Sequence, residues 1–416
     1  MATENLAPIY PPNFEAETLL IMSPADEHPS SPSPAGSFSE FMTGLLQSLL
    51  SNENQLGCPF TREFCVALLR TDDVGYGNEG NEEPFSEKGV PKYPLYKYIG
   101  RGLSEWISTG KFSRTMEPME GISEDEGTSA KIEGWTKKVV EIGVHLKELS
   151  QKVRFRMHCQ EPYFSQLIDG MKTVEGRCAS GEYSKIQVGD FLLVNQSLLL
   201  IVKDVKRYST FEEMLEIEGL SSVLPEVTTI KEGVQVYRKF YSEAREKEAG
   251  VVGIHVQHRV NPRQPFELLY DILKELHVEG IRALLGMRST MGSITDTLPP
   301  PTSMLLSAFS IVNNETVPGS KLTVGARALS KHVHRCSNGW WGMFTGSEPA
   351  KNELSFLKLQ NMIEDAIWMN VHVVPVPVFE IRVRGGYGAR WSLDGSQFRG
   401  FLEPPMEEGY LHKWRH

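Results

Sequence analysis

The chain has 416 residues, 40% of them hydrophobic and 23% charged, which are ordinary globular values and enough length for two or three domains. No run of eighteen apolar residues occurs and the first ten residues lack a basic start before an apolar stretch, so neither a transmembrane helix nor a secretory signal is expected. The net charge of −10 is uneven: residues 1–151 carry −11, residues 152–258 carry −1 and residues 321–416 carry +3. Long-range attraction to phosphate is therefore excluded for the N-terminal third, and nucleic-acid contact would need local basic clusters further on. The five cysteines, Cys58, Cys65, Cys159, Cys178 and Cys336, are odd in number and form no C-x-x-C pair. That usage suits a reducing compartment, nucleus or cytoplasm, and speaks against a structural zinc site.

Residues 1–36 read as a disordered tail, because the Pro/Ser-rich stretch SPADEHPSSPSPAGS cannot bury a core. Residues 37–151 read as an acidic helical unit. Residues 40–50 place Phe41, Leu45, Leu46 and Leu49 on one face, residues 61–69 follow with Thr61 as cap, and residues 96–107 and 134–153 are further helices. The acidic stretch 116–130 is expected to be mobile.

In residues 152–258 the register changes. Strands are predicted at 153–159, 172–178, 185–195, 198–205 and 250–257, with short helices at 162–170 and 211–218 and a longer one over 230–247. Short strands with helices between them predict a small half-closed β-barrel. Residues 259–320 read as a connector with a helix at 265–276 and the Pro-rich run TLPPPTS. Residues 321–416 form a third, α+β unit, rich in Gly and holding five of the seven tryptophans, with one strand predicted over 371–383.

The most informative stretch is GMKTVEGR, residues 170–177: a helix stop that runs directly into a strand. Alternation puts Thr173, Glu175 and Arg177 on one face with Lys172 at the strand mouth. An Arg fork beside a Lys suits a phosphate or a base edge, although the same spacing also suits a surface ion pair on an edge strand. This motif resembles the G-x-K-x-x-x-x-R signature of the ASCH (activating signal cointegrator homology) family. Also similar are the helix EPYFSQLIDG, the turn KIQVGD, the run YSTFEEMLEIEGLSSVLPE, the helix EGVQVYRKFY and the strand GVVGIHV, in that order. The closing block GFLEPPMEEGYLHKWRH resembles the ends of uncharacterised plant-type proteins that carry the same domain.

The resemblance implies a PUA-like pseudo-barrel with a central cleft, RNA or single-stranded nucleic acid as partner, and a role as coactivator or adaptor in RNA metabolism. Lys172, Glu175 and Arg177 would line the cleft, with Gly170 permitting the sharp entry. Around them Lys185, Lys203, Lys206 and Arg207 supply charge, and Tyr163 and Tyr208 supply stacking faces. One branch of the family removes acyl groups from modified cytidine. On that reading Lys172 is the base, Glu175 stands where a hydroxyl residue is expected, and Glu226 supplies a second carboxylate. A non-catalytic adaptor, with the acidic N-terminal unit contacting protein partners, is the remaining alternative.

In the third unit His332-x-His334 is flanked by Lys331 and Arg335, which would repel a cation, so no metal and no cofactor are expected. Arg382, Arg384, Tyr387, Arg390 and Trp391, interleaved with glycines, form a second candidate patch for an anion or a stacked base. The same pattern equally suits a β-hairpin with aromatic packing.

Overall fold

The computed structural model describes residues 34–51, 59–72, 85–115, 119–122, 127–258, 264–290, 292–314, 316–317, 319–333 and 339–405. They fall into two compact units. A motif unit comprises Gln160–Ile186 and Asp204–His255, and a flanking unit comprises Gln187–Lys203 with the described residues up to Cys159 and from Val256 onward.

In chain order the elements begin with α1 (Pro34–Ser51), α2 (Arg62–Leu69), α3 (Leu95–Thr109), α4 (Thr128–Lys152), β1 (Val153–Met157), α5 (Tyr163–Ile168) and β2 (Val174–Cys178). A 3-10 turn at Gly181–Lys185 leads to β3 (Phe191–Val194), β4 (Leu198–Tyr208), α6 (Phe211–Glu218), α7 (Leu220–Val223), α8 (Ile230–Arg238), α9 (Glu243–Ala249) and β5 (Val251–His258). Then come α10 (Pro265–Leu284), α11 (Thr302–Ser310), α12 (Val324–Val333), α13 (Glu348–Glu364), β6 (Trp368–Val373), β7 (Pro377–Arg382), β8 (Gly388–Ser392) and β9 (Phe398–Leu402).

Within the flanking unit α1, α3, α4 and α10 bury one apolar face each. Phe41, Leu46, Ile99, Leu103, Trp106, Leu146, Leu269 and Leu276 meet in one core, as their helical spacing requires. Thr61 caps α2 by accepting from Phe64 N at 3.2 Å. Gly143 of α4 faces Ile107 of α3 so closely that a methyl there would overlap it. In the same unit β1 pairs parallel with β3, and β3 pairs antiparallel with β4.

In the motif unit β5 lies between β4 and β2. The β2–β5 pair is antiparallel, with Glu175 opposite Ile254 and Arg177 opposite Val252. One face of this pair packs on Phe211, Met214, Leu215, Tyr237 and Tyr241, and Tyr237 stacks on Phe211 at 4.1 Å. A Cβ on Gly176 would sit 2.6 Å from both Met214 Cε and Tyr237 Oη, so the glycine of the motif is the spacer that lets α6 and α8 close on β2. Strands of mixed direction with helices between them give the expected α+β architecture.

Two elements differ from expectation. The helix expected over 230–247 is two helices, because the Ser242 side chain accepts from Arg245 N and starts α9 afresh. The strand expected over 371–383 is a hairpin, β6 and β7. Pro375 and Pro377 have no N–H to give a ladder, and the chain turns there with Val374 N donating to Val376 O. The acidic stretch expected to be loop is already helical from Thr128. Residues 1–33 of the expected tail, and 116–118 and 123–126 of the acidic stretch, lie outside the described residues.

Strands β6 to β9 form an antiparallel meander in sequence order. Its inner face (Met369, Val371, Phe379, Ile381, Ala389, Trp391) joins Leu305, Phe309, Leu329, Leu359 and Met362 of α11, α12 and α13 in a second core. Gly325 of α12 lies flat against the Phe309 ring, where a methyl group would overlap it. Gly325→Ala is therefore expected to destabilise the protein by about 1–3 kcal/mol through overpacking, seen as a lower urea midpoint by tryptophan fluorescence.

Candidate nucleic-acid interface

The geometry of the motif begins at the end of α5. Gly170 adopts a left-handed conformation (φ 72°), open to glycine without strain, and turns the chain so that Lys172 N donates to Gln166 O at 3.0 Å. Thr173 is exposed, and its N–H ties the strand entry to Ser222 O at 2.9 Å. The next residues enter β2, and alternation puts Glu175 and Arg177 on the face opposite the core.

Three charged side chains then meet below the surface. Glu175 Oε1 pairs with Arg177 Nη1 at 2.9 Å and its Oε2 pairs with Lys172 Nζ at 3.1 Å. The side chains of Lys172 and Glu175 are 2% and 5% exposed, and that of Arg177 is 12% exposed. Burial pushes the Glu175 carboxyl up, but the Arg177 guanidinium and the Lys172 ammonium outweigh it and hold the group below the usual carboxylate range. Lys172 also donates to Val174 O at 2.9 Å and to Val223 O. Two of its N–H donors are thus bound to backbone carbonyls, and the Glu175 carboxylate lies beside it as an ion pair.

Aromatic groups flank both cations. Tyr163 lies 5.8 Å from Lys172 Nζ and Tyr183, in the 3-10 turn, lies 5.7 Å from the Arg177 guanidinium. Arg207 reaches the same turn and donates to Ser184 O at 2.9 Å while remaining exposed. Two buried polar atoms, Gln166 Oε1 and Tyr241 Oη, make no hydrogen bond among the described residues. Burial raises the Tyr241 phenol, with Arg177 opposing and Tyr183 and Glu175 adding to the rise, so this hydroxyl lies within electrostatic reach of the charged trio.

The remaining expected residues disperse. Successive residues of β4 point to opposite faces, so Lys206 parts from Arg207. Lys206 joins Glu218 at 3.0 Å, where His255 Nε2 also approaches at 3.1 Å and the Tyr208 hydroxyl donates. Tyr208 is buried in the motif-unit core and offers no stacking face. Burial and the Glu218 carboxylate both raise its phenol. Lys203 is exposed on the part of β4 that belongs to the flanking unit, and Lys185 pairs with Glu182 at 2.5 Å. Glu226 is exposed in the turn before α8, with no ion pair or hydrogen bond to Lys172 among the described residues.

In the C-terminal meander Trp391 and Tyr387 are core residues. Trp391 donates its indole N–H to Leu305 O, and Tyr387 stacks on Trp340 at 3.9 Å. Arg382 is buried and Arg384 is exposed, whereas Arg390 is half-buried. His332 pairs with Glu403 at 2.7 Å, and His334 lies outside the described residues. Tyr183, Gln166 and Tyr241 were not read as site residues; a tyrosine in the turn just after the motif was the available signal.

The pH sign follows from Glu175. Its folded-state affinity for protons is reduced, so its contribution is fully present above the ordinary carboxylate value near 4.5 and fades as pH falls through the lower folded value. Glu175→Gln leaves Lys172 and Arg177 without their shared counter-charge. It is expected to cost about 3–5 kcal/mol at neutral pH and to flatten the acid side of stability measured against pH by urea unfolding.

Comparison with known proteins now bears on this geometry. Residues 157–259 match the model of the ASCH domain, and residues 313–403 match that of the CdiA C-terminal tRNase toxin domain. Among solved structures, hypothetical protein PH0355 is 42% identical over 25% of this chain and 98% of its own, with a TM-score of 0.25. Protein PF0455 from Pyrococcus furiosus is 39% identical over 26% of this chain and 98% of its own, with a TM-score of 0.24. No curated protein matches the chain. The charged trio, its glycine entry and its aromatic flanks thus belong to an ASCH domain, which occupies residues 157–259 of this longer α+β chain.

Proposed function

We propose that the ASCH domain binds single-stranded RNA at the Arg177 face of β2, and that the chain acts as an adaptor in RNA metabolism or transcription, in the nucleus or the cytoplasm. The observation that carries this reading is the way Arg177 is presented. Glu175 fixes its guanidinium, Lys172 satisfies the far side of Glu175, and Tyr183 flanks it. A fixed fork beside an aromatic ring can grip a base edge or a phosphate with little ordering cost. Lys172 is then a positioning residue. Arg207 of β4, bonded to the same 3-10 turn as Tyr183, adds an exposed cation for the strand's backbone. The acidic N-terminal unit, residues 37–151, would serve protein partners, since its net negative charge repels RNA.

A second reading concerns the C-terminal unit. The match over residues 313–403 is to a domain described as a tRNase toxin. The polar face of the β6–β9 meander carries a carboxylate, Glu380, that pairs with His372, Arg382 and Arg390, which favours a nuclease-type activity there.

RNA recognition is tested by gel shift of the full chain with labelled single-stranded RNA. Arg207→Ala, at an exposed position, should weaken binding several-fold and lower the salt slope by about one. Arg177→Ala should weaken it more, by about 1–3 kcal/mol. Duplex RNA should compete poorly. Unchanged affinity in both variants would remove the reading.

A further inference from the structure

Alternation in the meander leaves Asn370, His372, Glu380, Arg382 and Arg390 on the face turned away from the apolar core. Glu380 is the centre of this face. It accepts from Arg382 Nε at 2.6 Å, from Arg390 Nη2 at 2.6 Å and Nε at 3.0 Å, and it lies 3.0 Å from His372 Nε2. Burial pushes the Glu380 carboxyl up, but the His372 hydrogen bond and the two guanidiniums outweigh it and bring the group down to about 2. An ionised carboxylate only accepts, so His372 Nε2 is the donor, and in the neutral imidazole Nδ1 is the atom with the lone pair.

The cations around Glu380 are not equivalent. Arg382 is closed into the structure, donating through Nη1 to Gly386 O and Glu403 O as well. Arg390 Nη1 and His372 Nδ1, in contrast, make no hydrogen bond among the described residues, and their side chains are 17% and 16% exposed. The imidazole, from β6, and the Arg390 guanidinium, from β8, are hydrogen-bonded to the same oxygen, Glu380 Oε2, from the two sides of β7. Two guanidiniums against one carboxylate leave an excess positive charge there, suited to a second anion. Strand β6 is held rigid beneath them: Asn370 is fully buried and donates to Thr290 Oγ1 at 2.9 Å and Ser293 Oγ at 2.8 Å.

We infer that this face is an RNA-cleaving site in which His372 moves the proton, Arg390 holds the scissile phosphate and Glu380 positions both. The inference rests on the nuclease-type reading of the C-terminal unit and names its residues and its reaction. His372 Nδ1 takes the proton of a ribose 2′-hydroxyl, and the 2′-oxygen forms a bond to phosphorus. The P–O5′ bond breaks, the departing 5′-oxygen takes a proton from water, and His372 returns its proton to water. The products are a 2′,3′-cyclic phosphate and a 5′-hydroxyl end, with no net change in protons or electrons. Arg390 Nη1 neutralises the non-bridging oxygens as charge builds on them. DNA, without the 2′-hydroxyl, is not a substrate.

The test uses the full chain, total cellular RNA and single-stranded DNA, with end groups identified by sequencing that captures cyclic phosphates. RNA should be cut with 2′,3′-cyclic phosphate ends and DNA left intact. His372→Asn should lower the cleavage rate by about 10²-fold or more, with RNA retention unchanged. Arg390→Lys, which keeps the charge but loses the fork, should lower it by about tenfold. No cleavage of total RNA would remove the nuclease-type reading itself. Cleavage that survives His372→Asn, or that leaves 3′-hydroxyl ends or degrades DNA, would leave that reading standing and overturn the assignment of these residues.

Discussion

The motif unit depends on one buried carboxylate. Glu175 sits under β2 between a lysine and an arginine, each within 3.1 Å, and burial alone would favour its neutral form. The two cations reverse that preference, and in return Glu175 makes their burial tolerable. Removing any member leaves a charge without its partner, which costs far more than the triad contributes as a whole. The same arrangement divides the labour of the trio. The ammonium faces inward and donates to backbone carbonyls, whereas the guanidinium side chain is 12% exposed.

Two further carboxylates organise their surroundings in the same manner, with different outlets. Glu218 gathers Lys206, His255 and the Tyr208 hydroxyl; burial pushes its carboxyl up, but these partners hold it below its ordinary value. Glu380 gathers two arginines and a histidine. What separates a structural hub from a functional one is where the donors of the cations end. Lys172 and Arg382 end on backbone carbonyls, whereas Arg390 and His372 keep an atom facing outward. A carboxylate with more positive than negative charge around it is prepared for an anionic guest, and a nucleic-acid backbone is the common one.

Close packing sets the positions of these hubs. Gly176 allows α6 and α8 to lie on β2, and Gly325 allows α12 to lie on α11. In both places a single methyl group would push a helix away, and the charged groups on the opposite sheet face would lose their mutual distances. Interiors packed at crystal-like density transmit such shifts, which ties core residues without chemistry to the geometry of the sites.

Local pattern by itself determined the helices α1, α2, α3 and α6, the cap at Thr61 and the turn from Gly170 into an extended GMKTVEGR. These follow from apolar spacing, hydroxyl caps and the freedom of glycine, which act over a few residues. The pattern also placed Glu175 and Arg177 on one strand face. Tertiary structure alone decided that Lys172 would donate to Val223 O and Val174 O and that Tyr208 and Trp391 would enter the core. It alone brought His372, Glu380 and Arg390 together from three strands and folded one apparent strand into a hairpin at Pro375. Where a long side chain ends is set by partners that arrive from distant parts of the sequence, and no local periodicity encodes them.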